Sequence, residues 1–395
     1  MISFSKQIAL CTLFFLQNQE VEAAIETDGL WTGNDWYDSA NNMGVSNGVV
    51  YSNDDAVNGR LAAARTKDGP VSNNYASQAN VQRVQSVFSQ AQWDEGFPHA
   101  DSIYTYTNFL KAVAKYPSFC NETNLSMSVD DTCRRELSTL FAHWGQETGK
   151  RDPNNGEFWT QGLYHIEEMR CKGTFDPSCD YKDWGWSNNA WPNQTGHQYY
   201  GRGPMQLSWN YNYGQFSNVF GWSSYNSKME LLENPERLNT EGDLAMSAGL
   251  WFYMTPQSPK PSMHDVMTGY YSPNSVDTAN NFGNNFATTT NIINGGLECG
   301  KGLGSPKVVD RGNYFNHWLN FFGLSPESNL DCGNQPNAFP AGGAGTIFAY
   351  LDQDWSGTKC KLVGWMTQYS VFARDDYKRC ICDKYAAGAE EAACP

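Results

Sequence analysis

The stretch Leu137-Ser138-Thr139-Leu140-Phe141-Ala142-His143-Trp144-Gly145-Gln146-Glu147-Thr148-Gly149 decides how this chain is read. Leu137, Leu140, Phe141 and Trp144 recur at i, i+3, i+4 and i+7, which makes one continuous apolar face, and Gly149 is a fitting stop just beyond Glu147. The pattern predicts a buried helix carrying a carboxylate at its C-terminal end. Desolvation and the negative end of the helix dipole both favour a protonated carboxyl in such a place, which is what a general acid requires. Spacing alone leaves the plainer reading open, a solvated helix end.

Two further helices are expected. One opens on Thr240-x-x-Asp243 as a capping box and runs through Leu244, Ala248, Trp251 and Phe252; the other starts at Ser262-x-x-Asp265 and stops at Gly269. Between them and the first, Tyr199 to Tyr213 is aromatic and Gly-rich with Pro204, which reads as a shaped loop or short strands. The chain is therefore mainly α with long polar loops.

At 395 residues it has room for two or three domains. Lys plus Arg number 27 against 42 Asp plus Glu, a formal charge of -15, which argues against nucleic acid and anionic membranes as partners. Only 17% of residues are charged while 14% are aromatic, a surface suited to a neutral polymer. Lys6, the apolar run Gln7 to Leu16 and Val21-Glu22-Ala23 read as a signal peptide over 1–23, too short to span a bilayer. Of 11 cysteines, Cys11 leaves with it and an even set remains, expected to pair in an oxidising compartment rather than to hold zinc. Secretion is the expected localisation, and the sequons at Asn121, Asn124 and Asn193 fit it.

Residues 24–80 are rich in Asn, Asp, Gly and Ser without sustained periodicity and read as an extension or linker. Helical signals fill 81–337. Pro-Ala-Gly-Gly-Ala-Gly at 340–345 reads as a hinge, and 338–395 as a small Cys-rich C-terminal module of unknown role. Its β-like runs are Ile347 to Leu351 and Lys361 to Trp365, and two disulfides among Cys360, Cys380, Cys382 and Cys394 would close it by any of three connectivities.

The sequence shows no nucleotide loop, no Gly-x-Ser-x-Gly elbow and no metal-ligand spacing, which leaves paired carboxylates as the chemistry to look for. Glu147 and Glu168 are the candidates. Glycoside hydrolysis needs one carboxylic acid to protonate the leaving oxygen and one carboxylate on the opposite face of the sugar.

Here the residues resemble the glycoside hydrolase family 19 chitinases of plants, bacteria and some invertebrates. Phe141 to Gly149 looks like the family's helix bearing the acid, and Gly162 to Glu168 is similar to its segment bearing the base, with Glu168 rather than Glu167 at the catalytic position. Tyr199-Tyr200-Gly201-Arg202-Gly203-Pro204-Met205-Gln206-Leu207-Ser208-Trp209-Asn210-Tyr211-Asn212-Tyr213-Gly214 resembles the most characteristic signature. Pro259 to Ser262, Asn291 to Gly300 and Asp310-Arg311 follow in the family's order.

The resemblance covers roughly 81–337 and implies a bilobal, lysozyme-like α-helical domain. It implies an endo-acting enzyme that cleaves β-1,4-linked N-acetylglucosamine polymers with inversion, Glu147 being the acid and Glu168 the base of a water that Ser208 helps to hold. The two carboxyls of an inverting pair stand about 6.5 to 9.5 Å apart. Gln206, Tyr211, Asn212, Lys260 and Asn294 fall on positions lining the sugar cleft, and Glu298 and Arg311 on a charged cluster beside the carboxylates. No metal and no cofactor is implied, chitin or its oligosaccharides being the expected partner of a monomer.

This sequence also departs from the plant pattern. Gln146 and Trp209 replace histidines, and Tyr164 and Asn193 stand where plant members have cysteines. Only Cys299 to Cys332 transfers as a disulfide. Cys120 to Cys133 and Cys171 to Cys179 are pairings proposed from their short loops, and a pairing across them stays open. Two rival functions are a lysozyme-like enzyme cutting peptidoglycan and a non-catalytic chitin-binding protein. The net negative charge speaks against an anionic wall, and the presence of both glutamates against lost turnover.

Overall fold

In a computed structural model of the chain, the described residues are 74–184, 191–220, 229–257, 259–345, 350–354 and 359–363. The expected signal peptide, nearly all of the 24–80 extension, and Cys380, Cys382 and Cys394 lie outside them. The chain divides into a compact unit Thr66–Thr346 and a second made of Met1–Arg65 with Ile347–Pro395.

The Thr66–Thr346 unit is mainly α. It runs through α1 (Ala79–Val87), α2 (Gln90–Gly96), α3 (Tyr106–Val113), α4 (Val129–Thr148), α5 (Asn210–Val219), α6 (Met229–Glu233), α7 (Gly242–Met254), α8 (Met263–Thr268), α9 (Ser275–Ala279), α10 (Phe286–Glu298) and α11 (Pro306–Phe321). Long irregular segments join them, above all between α4 and α5.

The quoted stretch is the second half of α4. Ser128 caps this helix by accepting from the Asp131 amide at 3.1 Å, and Asp130 and Asp131 face the positive end of its dipole. Leu137, Leu140, Phe141 and Trp144 are fully buried. Phe141 centres an aromatic cluster, its ring 5.1 Å from Phe88, 5.0 Å from Phe97 and 4.9 Å from Trp318 of α11. The α4 end that carries Glu147 is thus anchored in the densest part of the core.

Two boundaries differ from expectation. Thr240 does not cap α7: its hydroxyl donates back to the Arg237 carbonyl at 3.4 Å, and Glu241 takes the cap position without a side-chain cap bond. Packing sets this start. A Cβ at Gly242 would stand 2.0 Å from the Ile103 carbonyl, so the helix begins where glycine lets two backbones touch. The second difference is α5, which occupies Asn210 onward where a loop or strand was read; the loop reading holds only up to Trp209. Trp209 enters the helix with φ of 77° and no side-chain cap, so the usual start signals are missing. The expected helix at Ser262 forms, with the Ser262 hydroxyl accepting from Asp265 N at 3.0 Å and Gly269 ending it left-handed.

Three disulfides join Cys120 to Cys133, Cys171 to Cys179 and Cys299 to Cys332. The glycine-rich stretch at 340–345 lies against the helical unit. Phe339 stacks on Phe282 at 4.1 Å, Asn274 Nδ2 donates to the Gly342 carbonyl, and the Ala344 amide donates to Asp277 Oδ2 at 2.7 Å. In the C-terminal module, Tyr350–Asp354 and Lys359–Val363 pair antiparallel with Tyr350 opposite Val363. Of the expected β-like runs, 347–349 and 364–365 lie outside the described residues, and the second strand begins at Lys359, two residues before its run. No described helix is long and apolar enough to cross a membrane.

Candidate active site

The end of α4 is stitched to the segment that leads to Glu168. Thr148 Oγ1 accepts from the Leu163 amide at 2.7 Å, the Thr148 carbonyl accepts from the His165 amide at 2.9 Å, and the Gln161 carbonyl accepts from the Lys150 amide. A Cβ on Gly162 would meet the Gly145 backbone at 3.2 Å, so the two chains run in contact. The carboxylates of Glu147 and Glu168 therefore hang on one rigid seam, which is how a scaffold holds catalytic groups in register.

Glu147 is 19% exposed and ion-paired to Arg311 Nη2, while the Arg311 side chain is 1% exposed. Arg311 also grips Glu298 with both oxygens, at 2.8 Å from Nε and 2.9 Å from Nη2. Asn294 Nδ2 donates to Glu298 Oε1 at 2.7 Å from a kink in α10, where its φ and ψ are -146° and 32°. Burial works against the Arg311 cation, but Glu147 and Glu298 outweigh it and hold its pKa above the usual value. Burial raises Glu298, and the Arg311 hydrogen bonds more than reverse this, leaving its carboxyl below the ordinary range. The end of α4 is thus not the plain apolar setting that periodicity suggested: a buried guanidinium stands against the carboxylate.

Glu168 lies one residue after a glutamate with a different role. Glu167 is buried and saturated, accepting from Tyr200 Oη at 3.0 Å and Asn239 Nδ2 at 2.8 Å and pairing with Lys172. The Glu168 side chain is 24% exposed; it pairs with Arg170 and accepts from Tyr181 Oη at 3.3 Å. Arg170 in turn donates to Ser178, inside the loop that the Cys171–Cys179 bridge closes, and to Tyr181, two residues beyond it. Arg170 and Tyr181 were not singled out from sequence, although Arg170 sits only two residues from Glu168.

The Glu168 amide donates to the Gly201 carbonyl at 2.9 Å, and Glu167 bridges Arg202, which bridges Leu207. This ties the Glu168 segment to the loop bearing Gln206 and Ser208, which leads into α5 with Tyr211 in its first turn. From there contacts run on toward Glu147. Asn212 Nδ2 donates to the Ser208 carbonyl and Asn212 Oδ1 accepts from Gln257 at 2.9 Å. Gln257 bridges Lys260, and Lys260 Nζ donates to the Ile292 carbonyl at 3.0 Å, two residues before Asn294. Burial alone lowers the Lys260 ammonium to about 8. Gln206 turns its amide onto the Gly203 carbonyl, and Tyr211 stacks on Trp209 with centroids 6.1 Å apart. Ser208, Asn212 and Lys260 are thus linked through Gln257, which sequence reasoning missed, while Asn294, Glu298, Arg311 and Glu147 form a hydrogen-bonded group of their own. Among the described residues no group of His, Cys, Asp or Glu is arranged to hold a metal ion.

Residues 84–332 match the family described as Chitinase class I. The chain belongs to this family, glycoside hydrolase family 19. Endochitinase CH25 of Brassica napus is 34% identical over 261 residues, covering 64% of this chain and 74% of that protein. Endochitinase B of Nicotiana tabacum is 37% identical over 261 residues, covering 63% and 73%. Among solved structures, chitinase C from Streptomyces griseus is 28% identical with a TM-score of 0.46, over 62% of this chain and 97% of that one. The chain is thus a glycoside hydrolase of the endochitinase type with the family's lysozyme-like α-helical architecture.

Proposed function

We propose that the protein is a secreted endochitinase that hydrolyses β-1,4-linked N-acetylglucosamine polymers in a single inverting displacement. The observation that carries this reading is the partly exposed Glu147 carboxylate against a buried guanidinium shared with Glu298, on the same seam as Glu168. Glu147 gives its proton to the leaving glycosidic oxygen. Glu168 takes a proton from a water that Ser208 helps to hold, and that water attacks the anomeric carbon from the face opposite the leaving group. Gln206, Tyr211, Asn212, Lys260 and Asn294 hold sugars along the rim. Residues 1–23 serve as the signal peptide, 24–80 as a linker, 81–337 as the catalytic domain and 338–395 as an appended module on a monomer. The three described disulfides support passage through an oxidising compartment.

Proton NMR of an N-acetylglucosamine hexamer during cleavage tests the mechanism by the anomer formed before mutarotation. The α anomer at the new reducing end is expected. An initial β product means retention and removes both roles, and binding without turnover would make the protein a chitin lectin. Cleavage of peptidoglycan in preference to the hexamer would move the substrate class.

Lys260 gives a second expectation. If its ammonium holds a sugar oxygen, KM for the hexamer rises as pH passes about 8, where the charge is lost. Lys260→Met should show a high KM that is flat between pH 7 and pH 9. A pH-dependent rise surviving in that variant would assign the effect to another group.

A further inference from the structure

We infer that His143 is a positioning residue for the acid: it accepts a hydrogen bond from the Arg311 guanidinium and so fixes the cation that faces Glu147. This rests on the reading of Glu147 as the acid. His143 lies one turn before Glu147 on α4, so one helix face presents both groups to the same arginine.

The protons of this contact are determined. Arginine has only donors, so Arg311 Nη1, 3.2 Å from His143 Nδ1, requires a lone pair there. His143 Nε2 then carries the hydrogen and donates to Thr289 Oγ1 at 3.0 Å. The Thr289 hydroxyl spends its own proton on the Phe286 carbonyl at 2.7 Å, which leaves its oxygen free to accept. The imidazole is fully buried and stacked on Phe286, centroids 4.9 Å apart and planes 12° apart, and Phe286 stacks on Phe315 behind it. Burial, and then the neighbouring Arg311 charge, hold the imidazole pKa well below its usual value, so the ring stays neutral.

The donors of Arg311 are thereby divided. Nε and Nη2 serve Glu298, Nη2 also serves Glu147, and Nη1 serves His143. Without an acceptor at His143 the buried Nη1 loses this bond, and the guanidinium loses the third point that fixes its plane against Glu147. A small displacement of a group next to the proton donor can cost about 10²-fold in rate.

The test uses the full chain with the N-acetylglucosamine hexamer and four variants, His143→Leu, His143→Asn, Thr289→Val and Glu147→Gln. His143→Leu is expected to lower kcat by about 10- to 100-fold with KM nearly unchanged, the pattern of a lost transition-state contact. Asn places its Oδ1 near the Nδ1 position, so His143→Asn should recover most of the loss. Should the Leu variant not fold, Thr289→Val carries the test: the ring remains while its tautomer lock is lost, and kcat should fall several-fold at constant KM. Unchanged kcat in a folded Leu or Val variant, or an Asn variant as slow as Leu, overturns the inference. Near-normal turnover by Glu147→Gln instead brings down the acid assignment, whereas an inactive Glu147→Gln beside a fully active His143→Leu removes His143 alone.

Discussion

Glu147→Gln is expected to lower kcat on the N-acetylglucosamine hexamer by about 10²- to 10⁴-fold, the usual contribution of a positioned general acid, while leaving the fold and substrate binding in place. The expectation of an intact fold follows from the geometry. A glutamine oxygen can still accept from Arg311 Nη2, and Arg311 keeps its two bonds to Glu298 and one to His143. The substitution therefore removes the group able to transfer a proton without leaving the guanidinium buried and alone. Glu298→Gln makes the contrasting case. Its carboxylate is 3% exposed and carries both strong bonds to Arg311, so that change should damage stability as well as rate. Steady-state kinetics with thermal melting of both variants separate the two roles. A Glu147→Gln enzyme within about tenfold of normal turnover would take the proton donor away from this position.

How much of this was legible in the sequence depended on whether the signal was local. The apolar spacing of Leu137 to Trp144 placed α4 and its end correctly, because a 3.6-residue period survives any tertiary context. Ser262 and Gly269 likewise announced α8 by their side chains and backbone. The start of α7 was misread because Thr240 and Asp243 fit a capping box, whereas contact of Gly242 with Ile103 decided the boundary, and no local rule reports a contact 139 positions away. The start of α5 was hidden because Trp209 carries none of the residues that begin helices.

The site followed the same division. Apolar spacing placed Glu147 at a helix end but could not join it to Arg311, since only folding brings α11 beside α4, and the choice of Glu168 over Glu167 came from the family resemblance. The charged cluster of Glu298 and Arg311 came from the family resemblance. His143 carried a signal that went unused: an imidazole one turn from an acidic candidate on a buried helix face is a neighbour by geometry. Arg170 and Tyr181 became meaningful only through folding, which sets both side chains against the Glu168 carboxylate.

The largest expected effect on stability lies away from the cleft, at His264. Its imidazole is 1% exposed and stands between two carboxylates, with Nδ1 2.5 Å from Glu136 Oε1 and Nε2 2.6 Å from Glu122 Oε1. Both ring nitrogens face acceptors, so both must carry hydrogen and the ring is an imidazolium. Burial opposes that charge, but Glu136 and then Glu122 overcome it and raise the pKa to about 9. Glu136 itself is fully buried, and its other oxygen accepts from the Cys120 amide at 2.9 Å, beside the Cys120–Cys133 bridge. The cluster thus ties α8, α4 and the segment after α3 together. His264→Leu leaves two carboxylates close together without a cation, and breaking a buried charge pair from one side costs about 3 to 5 kcal/mol. For a domain of this size that is a fall in Tm of roughly 6 to 20 °C.

The pH dependence has a definite sign. The folded pKa of about 9 exceeds the ordinary value of 6.5, so the stabilisation is fully present below about 6.5 and is lost as pH rises through about 9. Integrated over that window it amounts to roughly 3 kcal/mol. Lys260 shifts in the opposite direction, its ammonium being lowered to about 8, so folding gains stability there as pH rises toward the lysine's ordinary value. That contribution is common to both proteins and cancels when the variant is subtracted from wild type. Denaturant unfolding at pH 6 and pH 9.5 should therefore show wild type far more stable than His264→Leu at the lower pH and the gap largely closed at the higher one. A gap that stays constant across the window would show that His264 contributes through packing alone and that its ring is neutral between the two glutamates.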